Sequence, residues 1–358
     1  MTANTGKDKA DAKLTPGQIA DRYVKFGPDM AADVVDLLRR VKSPDHVIVR
    51  TGVPVMDEDI TIGGGSVTVV AARPSHGKSM MLKLLARSIM RDVMAKPVDD
   101  KAPRDVVIYV TLEEPSDKLY VEISGHLPYS YRDIHRGNVG DDIGEVVRIL
   151  QGVKTLGNLV TIEHPGLIDG RIAPPITTET IVSTIERLTT AYNMRPRCIL
   201  IDYLQLLSAN WKDNGKANRT DIVTAASHGV SALARAYACP VIVAAQAARG
   251  VDDRKLKIPA MGDMQHASSI EQDAHTILGL WRPIIDGETM VNVNGHDISV
   301  TSQTMLVRVA KSRADGAGGK LYALNFDPVT LAAHWIDPKL ESIGGRVVSQ
   351  ESRDWWDS

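Results

Sequence analysis

The chain has 358 residues, of which 43% are apolar and 24% charged, with 44 acidic against 42 basic side chains. This is the balance of a globular protein with a core of its own, and a net charge of −2 excludes a generally basic nucleic-acid coat while leaving room for a local basic surface. No apolar run reaches the ~18–20 residues of a membrane span, no apolar segment follows the charged N-terminal residues as in a secretory leader, and two cysteines cannot build a disulfide framework, so a soluble cytoplasmic protein is expected.

In chain order, residues 1–15 are polar and expected to be disordered. A helical lead-in over 16–44 contains two segments, Pro16–Phe26 and Asp29–Val41. In the second, Met30, Val34, Val35, Leu37, Leu38 and Val41 form an apolar stripe that Arg39 and Arg40 avoid. Turn-rich stretches at Thr51–Pro54 and Gly63–Ser66 open the main domain, 45–337. Its strands are expected at Val67–Ala71, Val106–Thr111, Leu159–Glu163, Cys198–Asp202, Val241–Ala245, Thr276–Trp281, Met305–Ala310 and Leu321–Phe326. Helical patterns fall at Lys78–Met90, Ile143–Gln151, Thr178–Tyr192 and Arg219–Ala238. Strands that are apolar throughout indicate a sheet covered on both faces, as in parallel α/β folds. The last two strands, with Gly316, Gly318 and Gly319 between them, read as an antiparallel hairpin at one sheet edge. Cys198 and Cys239 each adjoin an apolar run and read as buried reduced thiols. The tail, 338–358, ends with Trp355-Trp356, either a docking peptide or a strap packed on the domain.

The chemistry concentrates at strand ends. Val67–Ala71 leads through Ala72-Arg73-Pro74-Ser75-His76-Gly77-Lys78-Ser79, which matches Gly-x-x-x-x-Gly-Lys-[Ser/Thr] except at Ala72. Backbone N–H groups and the positive end of the following helix would cradle a polyphosphate, with Gly77 allowing close approach. Lys78 would place a charge between the terminal phosphates, and the Ser79 hydroxyl would ligate Mg²⁺. Asp202 closes an apolar strand, where it can orient Mg²⁺ through water or simply cap a turn. Glu113 and Glu114 follow another strand, and a carboxylate there can polarise the attacking water or merely suit a helix dipole. Gln246, at a third strand end, either senses the γ-phosphate or is a surface amide.

These runs, with Thr111-Leu-Glu-Glu-Pro-Ser116, Ile201-Asp-Tyr-Leu-Gln-Leu206, Asn218-Arg-Thr220, Ser269-Ile-Glu-Gln-Asp-Ala274 and Lys311-Ser-Arg313, make residues 45–336 resemble the C-terminal ATPase domain of DnaB-family replicative helicases. The resemblance implies a RecA-like P-loop α/β fold, with a central, mostly parallel twisted sheet between helices. It also implies ATP and Mg²⁺ as cofactors and hydrolysis at subunit interfaces of a homo-oligomer, a hexameric ring or helical assembly. Glu113 would be the catalytic base, Glu114 standing where the family is usually apolar. Gln246 would link the γ-phosphate to DNA-facing loops, and Lys311 and Arg313 would reach a neighbour's nucleotide. The segment Asp29–Val41 resembles the family's linker helix, which docks on the next subunit; the primase-contacting N-terminal domain is not represented.

Before Ser269 the family carries Arg-Glu-Ser-Gly for single-stranded DNA, whereas this chain has Gln265-His-Ala-Ser268. Gln265 and Ser268 retain hydrogen-bonding capacity, and Arg249, Arg254, Lys255 and Lys257 just upstream either compensate with charge or form a solvated run. His266 has no second ligand spaced to make a metal site. The expected function is therefore an ATP-dependent helicase moving 5′→3′ on single-stranded DNA, from a bacterium, phage or plasmid, with a loader or other replication protein as a further partner. An ATPase switch that unwinds nothing and an ATP-dependent DNA-binding or loading factor stand as alternatives.

Overall fold

A computed structural model describes Thr15 and residues 24–341 apart from 44–45, 96–101, 125–128, 141–143, 145–146, 150, 153–155, 209–217, 265–267 and 329. The expectations for 1–14, for most of Pro16–Phe26 and for the Trp355-Trp356 tail lie outside the described residues. Residues 24–26 are not helical, and within Ile143–Gln151 the described residues are helical.

Contacts divide the chain into two units, 1–46 and 47–358. In the first, α1 (Gly27–Lys42) exceeds the expected helix by a residue or two at each end, and the Asp29 carboxylate accepts the Phe26 N–H at its start. Met30, Val34, Val35, Leu37, Leu38 and Val41 are all exposed.

The second unit contains β1 (Val67–Ala72), α2 (Lys78–Met94), β2 (Arg104–Thr111), α3 (Ser116–Ser124), β3 (Leu159–Glu163), α4 (Thr178–Tyr192), β4 (Met194–Asp202), α5 (Arg219–Tyr237), β5 (Val241–Gln246), α6 (Ser268–Asp273), β6 (Thr276–Trp281), β7 (Thr304–Ser312), β8 (Leu321–Asp327) and β9 (Ala332–Ile336). The strands form one sheet in the order β9-β8-β7-β6-β1-β5-β4-β2-β3. From β6 to β3 the neighbours are parallel. The other end is an antiparallel meander of β7, β8 and β9 packed on β6. The expected edge hairpin is thus extended by β9, a short strand whose Ala-Ala-His-Trp-Ile carries no clear period.

Alternate strand residues point to opposite faces, and here both faces are apolar. Val70, Leu200, Ile242 and Leu278 pack against Met81, Leu82, Leu85 and Ile89 of α2. Val69, Ile201, Val243 and Ile277 pack with Ile181 and Ile185 of α4 and Val223, Val230 and Leu233 of α5. The parallel strands therefore read as unbroken apolar runs. Cys198 and Cys239 are buried free thiols, and burial pushes both up, Cys239 to about 12. Helix starts follow local chemistry: Thr177 and Asn218 cap α4 and α5 through capping boxes with Thr180 and Asp221.

Two small hairpins go beyond the expected elements, Leu167–Ile168 with Arg171–Ile172 and Met290–Val293 with His296–Ser299. Their turns, Asp169-Gly170 and Asn294-Gly295, have positive φ at both residues. Asp-Gly and Asn-Gly are the pairs that such two-residue turns require, so the signal is present in flanks too short to show alternation.

β6 passes so close to Pro259 that a Cβ on Gly279 would lie 2.2 Å from the Pro259 carbonyl oxygen. Gly279→Ala must displace backbone, and is expected to destabilise the domain by about 1–3 kcal/mol. A shift of the urea midpoint checks this, and an unchanged midpoint contradicts it.

Candidate active site

β1 delivers the chain at Ala72 into a loop whose Ser75 and Gly77 have φ of 67° and 94°. α2 then begins at Lys78 with no side-chain cap, leaving the first N–H groups of its turn for an anion. The Lys78 ammonium donates to the Arg73 carbonyl at 3.4 Å and stands 6.0 Å from the centre of the Tyr203 ring. Burial lowers its pKa, and Arg73 adds to this, while Asp202 and Glu113 act in the opposite direction. The fold thus brings the ends of β1, β2 and β4 together around one cation.

Asp202 is 3% exposed. One carboxylate oxygen accepts the Tyr109 hydroxyl at 3.2 Å; the other is buried with no hydrogen-bond partner among the described residues. Burial raises its pKa, opposed by the Ser79 hydroxyl and the Lys83 charge. An orphaned carboxylate oxygen beside a serine hydroxyl suits a hydrated hard cation, so Ser79 and Asp202 fit Mg²⁺.

The two glutamates after β2 part ways. Glu113 is exposed and close enough to Lys78 and Tyr203 to influence both electrostatically. Glu114 turns inward to form ion pairs with Lys83 and Lys118, and Lys83 also pairs with Glu122. Lys83, one turn after Ser79 on α2, is 3% exposed. Burial alone would raise the Glu114 pKa, but the two lysines outweigh it and hold the carboxyl below its ordinary value. The Thr111 hydroxyl donates to the Glu114 carbonyl and closes the turn. Lys83 is not among the residues the sequence singles out, although a lysine within an apolar helix pattern and a glutamate at a usually apolar position are a matching pair of signals.

Arg73 and His76 do not present their side chains to the phosphate position. Arg73 grips Asp252 at 3.0 and 3.1 Å and donates to the Ala247 carbonyl. His76 is buried, accepts the Arg282 N–H at Nδ1, and lies 4.0 Å from Asp286 through Nε2. Burial lowers its pKa, consistent with a neutral ring. What Arg73 and His76 leave for a phosphate is therefore backbone, while the Ser75 side chain is exposed.

Lys311 and Arg313 lie elsewhere. β7 is antiparallel to β6, so Ile277 pairs with Lys311, and the Arg313 N–H donates to the His275 carbonyl. The His275 N–H in turn donates to Val67, at the start of β1. Arg313 is thus level with the wrong end of β1, roughly 16 Å of strand from Ala72. Both cations rest on the last carbonyls of α6, Lys311 on Glu271 and Arg313 on Gln272. A late strand is expected to lie at a sheet edge remote from the phosphate loop; here the distance arises from strand direction instead.

In the cation-rich loop, Arg254 forms a two-pronged pair with Asp263 at 2.6 and 2.7 Å, and Lys257 pairs with Asp286 at 3.5 Å. Arg249 and Lys255 are exposed and make no ion pair among the described residues. Gln265 lies outside the described residues, as does the side chain of Ser268, whose backbone begins α6. Gln246 ends β5 with its side-chain amide unbonded among the described residues.

A nucleotide loop at the carboxyl end of a parallel sheet, with Asp202 and Glu113 from neighbouring strands, defines a RecA-like P-loop protein. The model of the DnaB-like helicase C terminal domain family matches residues 49–329, and the chain belongs to that family. It is 28% identical over 263 residues to the replicative DNA helicase DnaB of Mycoplasma genitalium, covering 73% of this chain and 50% of that protein. With the DnaB of Rickettsia conorii the identity is 25% over 282 residues, covering 77% and 54%. The chain therefore spans about half the length of these curated relatives. Among solved structures, an ATPase domain aligns with 88% of this chain and 100% of its own at a TM-score of 0.66 and 20% identity. A DnaB-like replicative helicase, solved with a view to its interactions with primase, gives a TM-score of 0.63 at 19% identity over 89% of this chain and 69% of its own. Among the described residues no helix is long and apolar enough to cross a membrane.

The buried lysine supplies a stability test. Glu114→Gln/Glu122→Gln removes both ion-pair partners of the Lys83 ammonium and should cost about 3–5 kcal/mol, most of which adding Lys83→Met should return. Acid should act in the same direction: because Glu114 is held below its ordinary value, its contribution is complete above that value and is lost as pH falls through the lowered one. Denaturant midpoints of the double and triple variants check this, and a triple variant no more stable than the double contradicts it.

Proposed function

We propose that the chain is the motor portion of an ATP-dependent helicase that moves along single-stranded DNA. The observation that carries this reading is that Lys78, Ser79, Asp202 and Glu113 converge at the carboxyl end of the parallel strands, whereas Lys311 and Arg313 lie at the other end of the sheet. Lys78 and the backbone of 73–78 bind the phosphates, and Glu113 polarises the attacking water. Ser79 directly, and Asp202 through water, would hold Mg²⁺, whose charge would offset that of the phosphates. Arg313, with Lys311, serves the nucleotide of an adjacent copy, where it stabilises transition-state charge. Gln246 responds to the γ-phosphate. The assembly is a homo-oligomer, a hexameric ring or a helical array, moving 5′→3′, and the exposed apolar stripe of α1 docks on a neighbouring subunit. A loader or another replication protein is a further partner.

In this reading Arg249 and Lys255 hold the phosphates of the DNA strand, with Gln265 and Ser268 adding hydrogen bonds, whereas Arg254 and Lys257 brace the loop from within. That two of the four cations are engaged internally is the observation favouring the second reading, an ATPase switch that unwinds nothing.

Mixing variants tests the shared site. Arg313→Ala and Glu113→Ala should each bind ATP nearly normally and hydrolyse it poorly. Once subunit exchange is established by fluorescence transfer, their mixture should regain oligo-dT-stimulated turnover and unwinding of a forked duplex, since some interfaces then combine an intact Glu113 with an intact Arg313. Persistent inactivity after exchange refutes the arrangement, and turnover without unwinding selects the switch.

The loop is tested separately by salt. Neutralising Arg249 and Lys255 should flatten the log–log salt dependence of single-stranded DNA binding by about 0.7 for each phosphate no longer neutralised. Lys257→Gln should leave the slope nearly unchanged; an equal effect would mean that this internally paired lysine also touches DNA.

A further inference from the structure

The ladder between β4 and β5 stops early. Ile199, Leu200 and Ile201 pair with Val241, Ile242 and Val243, after which β4 leaves the sheet through a turn at Leu204–Leu206. β5 continues to Gln246, still paired with β1 as far as Ala72. In a strand the backbone groups of successive residues face alternate flanks, so those of Ala247 meet β1 and those of Gln246 face the gap β4 has left. The Ala247 N–H duly donates to the Ala72 carbonyl at 3.0 Å.

Gln205 fills that gap with a side chain. Its Oε1 accepts the Gln246 N–H at 3.1 Å, and its Nε2 donates to the Gln246 carbonyl at 3.2 Å. A carboxamide has the donor and acceptor of a peptide group, so Gln205 imitates one residue of the missing strand. It is 4% exposed, and its own carbonyl accepts an Arg219 guanidinium N–H at 2.7 Å. The peptide joining Gln246 to Ala247 is thereby held on both flanks, its N–H by the Ala72 carbonyl and its carbonyl by Gln205, and the Gln246 side-chain amide is left unbonded among the described residues.

We infer that Gln205 is a positioning residue for Gln246, fixing the backbone from which the Gln246 amide meets the γ-phosphate, and that Arg219 steadies Gln205. This rests on the proposed role of Gln246. A group serving transition-state charge must be held before the reaction begins, and a misplacement of about 1 Å can cost up to about a hundredfold in rate.

The test uses the full chain, with steady-state ATP turnover measured with and without oligo-dT for Gln205→Met, Gln205→Glu, Gln246→Ala and the double variant Gln205→Met/Gln246→Ala. Gln205→Met should lower DNA-stimulated kcat by about tenfold while changing the KM for ATP less than about twofold, because Lys78 and Ser79 are untouched. Gln205→Glu keeps the acceptor and loses the donor, so it should fall between wild type and Gln205→Met; it carries the same comparison if the methionine variant does not fold. The double variant should be no slower than Gln246→Ala alone, since Gln205 acts through Gln246. Full stimulation in both Gln205 variants beside an impaired Gln246→Ala overturns the inference, as does a double variant whose losses multiply. If Gln246→Ala is itself fully stimulated, the role given to Gln246 is what fails, and the inference falls with it.

Discussion

The reversal of chain direction between β6 and β7 is the constraint on which the rest depends. Phosphate chemistry in this fold belongs to the carboxyl ends of the parallel strands, where β1, β2, β4 and β5 deliver Lys78, Glu113, Asp202 and Gln246. An antiparallel β7 carries Lys311 and Arg313 to the opposite end, level with Val67. No side-chain rotation brings a guanidinium across the length of a sheet. Neither cation therefore reaches the phosphate loop of its own chain.

The same region contains an arrangement that is costly by ordinary rules. Lys83 is buried beside Asp202, and burying an ammonium is tolerated only where counter-charges are fixed close by. Glu114 and Glu122 supply them, with Lys118 completing the network. Because Glu114 is held inward, adjacent Glu113 remains outside, within influence of Lys78. The structure thereby gives two adjacent carboxylates different surroundings, Glu114 ion-paired and Glu113 exposed, where the sequence separates them only by resemblance.

The phosphate loop and the cation-rich loop are also mechanically related. Arg73 holds Asp252, and Asp286 receives Lys257 and the Trp281 indole N–H while lying near His76. Two side chains of the phosphate loop are therefore committed to the scaffold around the other loop, and the two loops do not take positions independently.

The central strands are legible in the sequence because a sheet buried on both faces needs unbroken apolar runs, and Leu159–Glu163 and Thr276–Trp281 have the bounds their patterns predict. The loop from Ala72 to Ser79 is legible because close backbone approach to phosphate restricts residue choice at Gly77, Lys78 and Ser79. β9 and the two small hairpins lack enough residues to show a period. By itself the sequence determined the layered sheet, the phosphate loop and the residues capable of chemistry, since these follow from local pattern and residue type. Tertiary structure alone decided which of them meet: that Glu114 and Arg254 are committed to ion pairs, that Gln205 replaces a missing strand, and that Arg313 faces away from its own nucleotide site. Those outcomes depend on strand direction and on partners as far as 41 residues apart in the chain, as between Gln205 and Gln246, which local pattern does not encode.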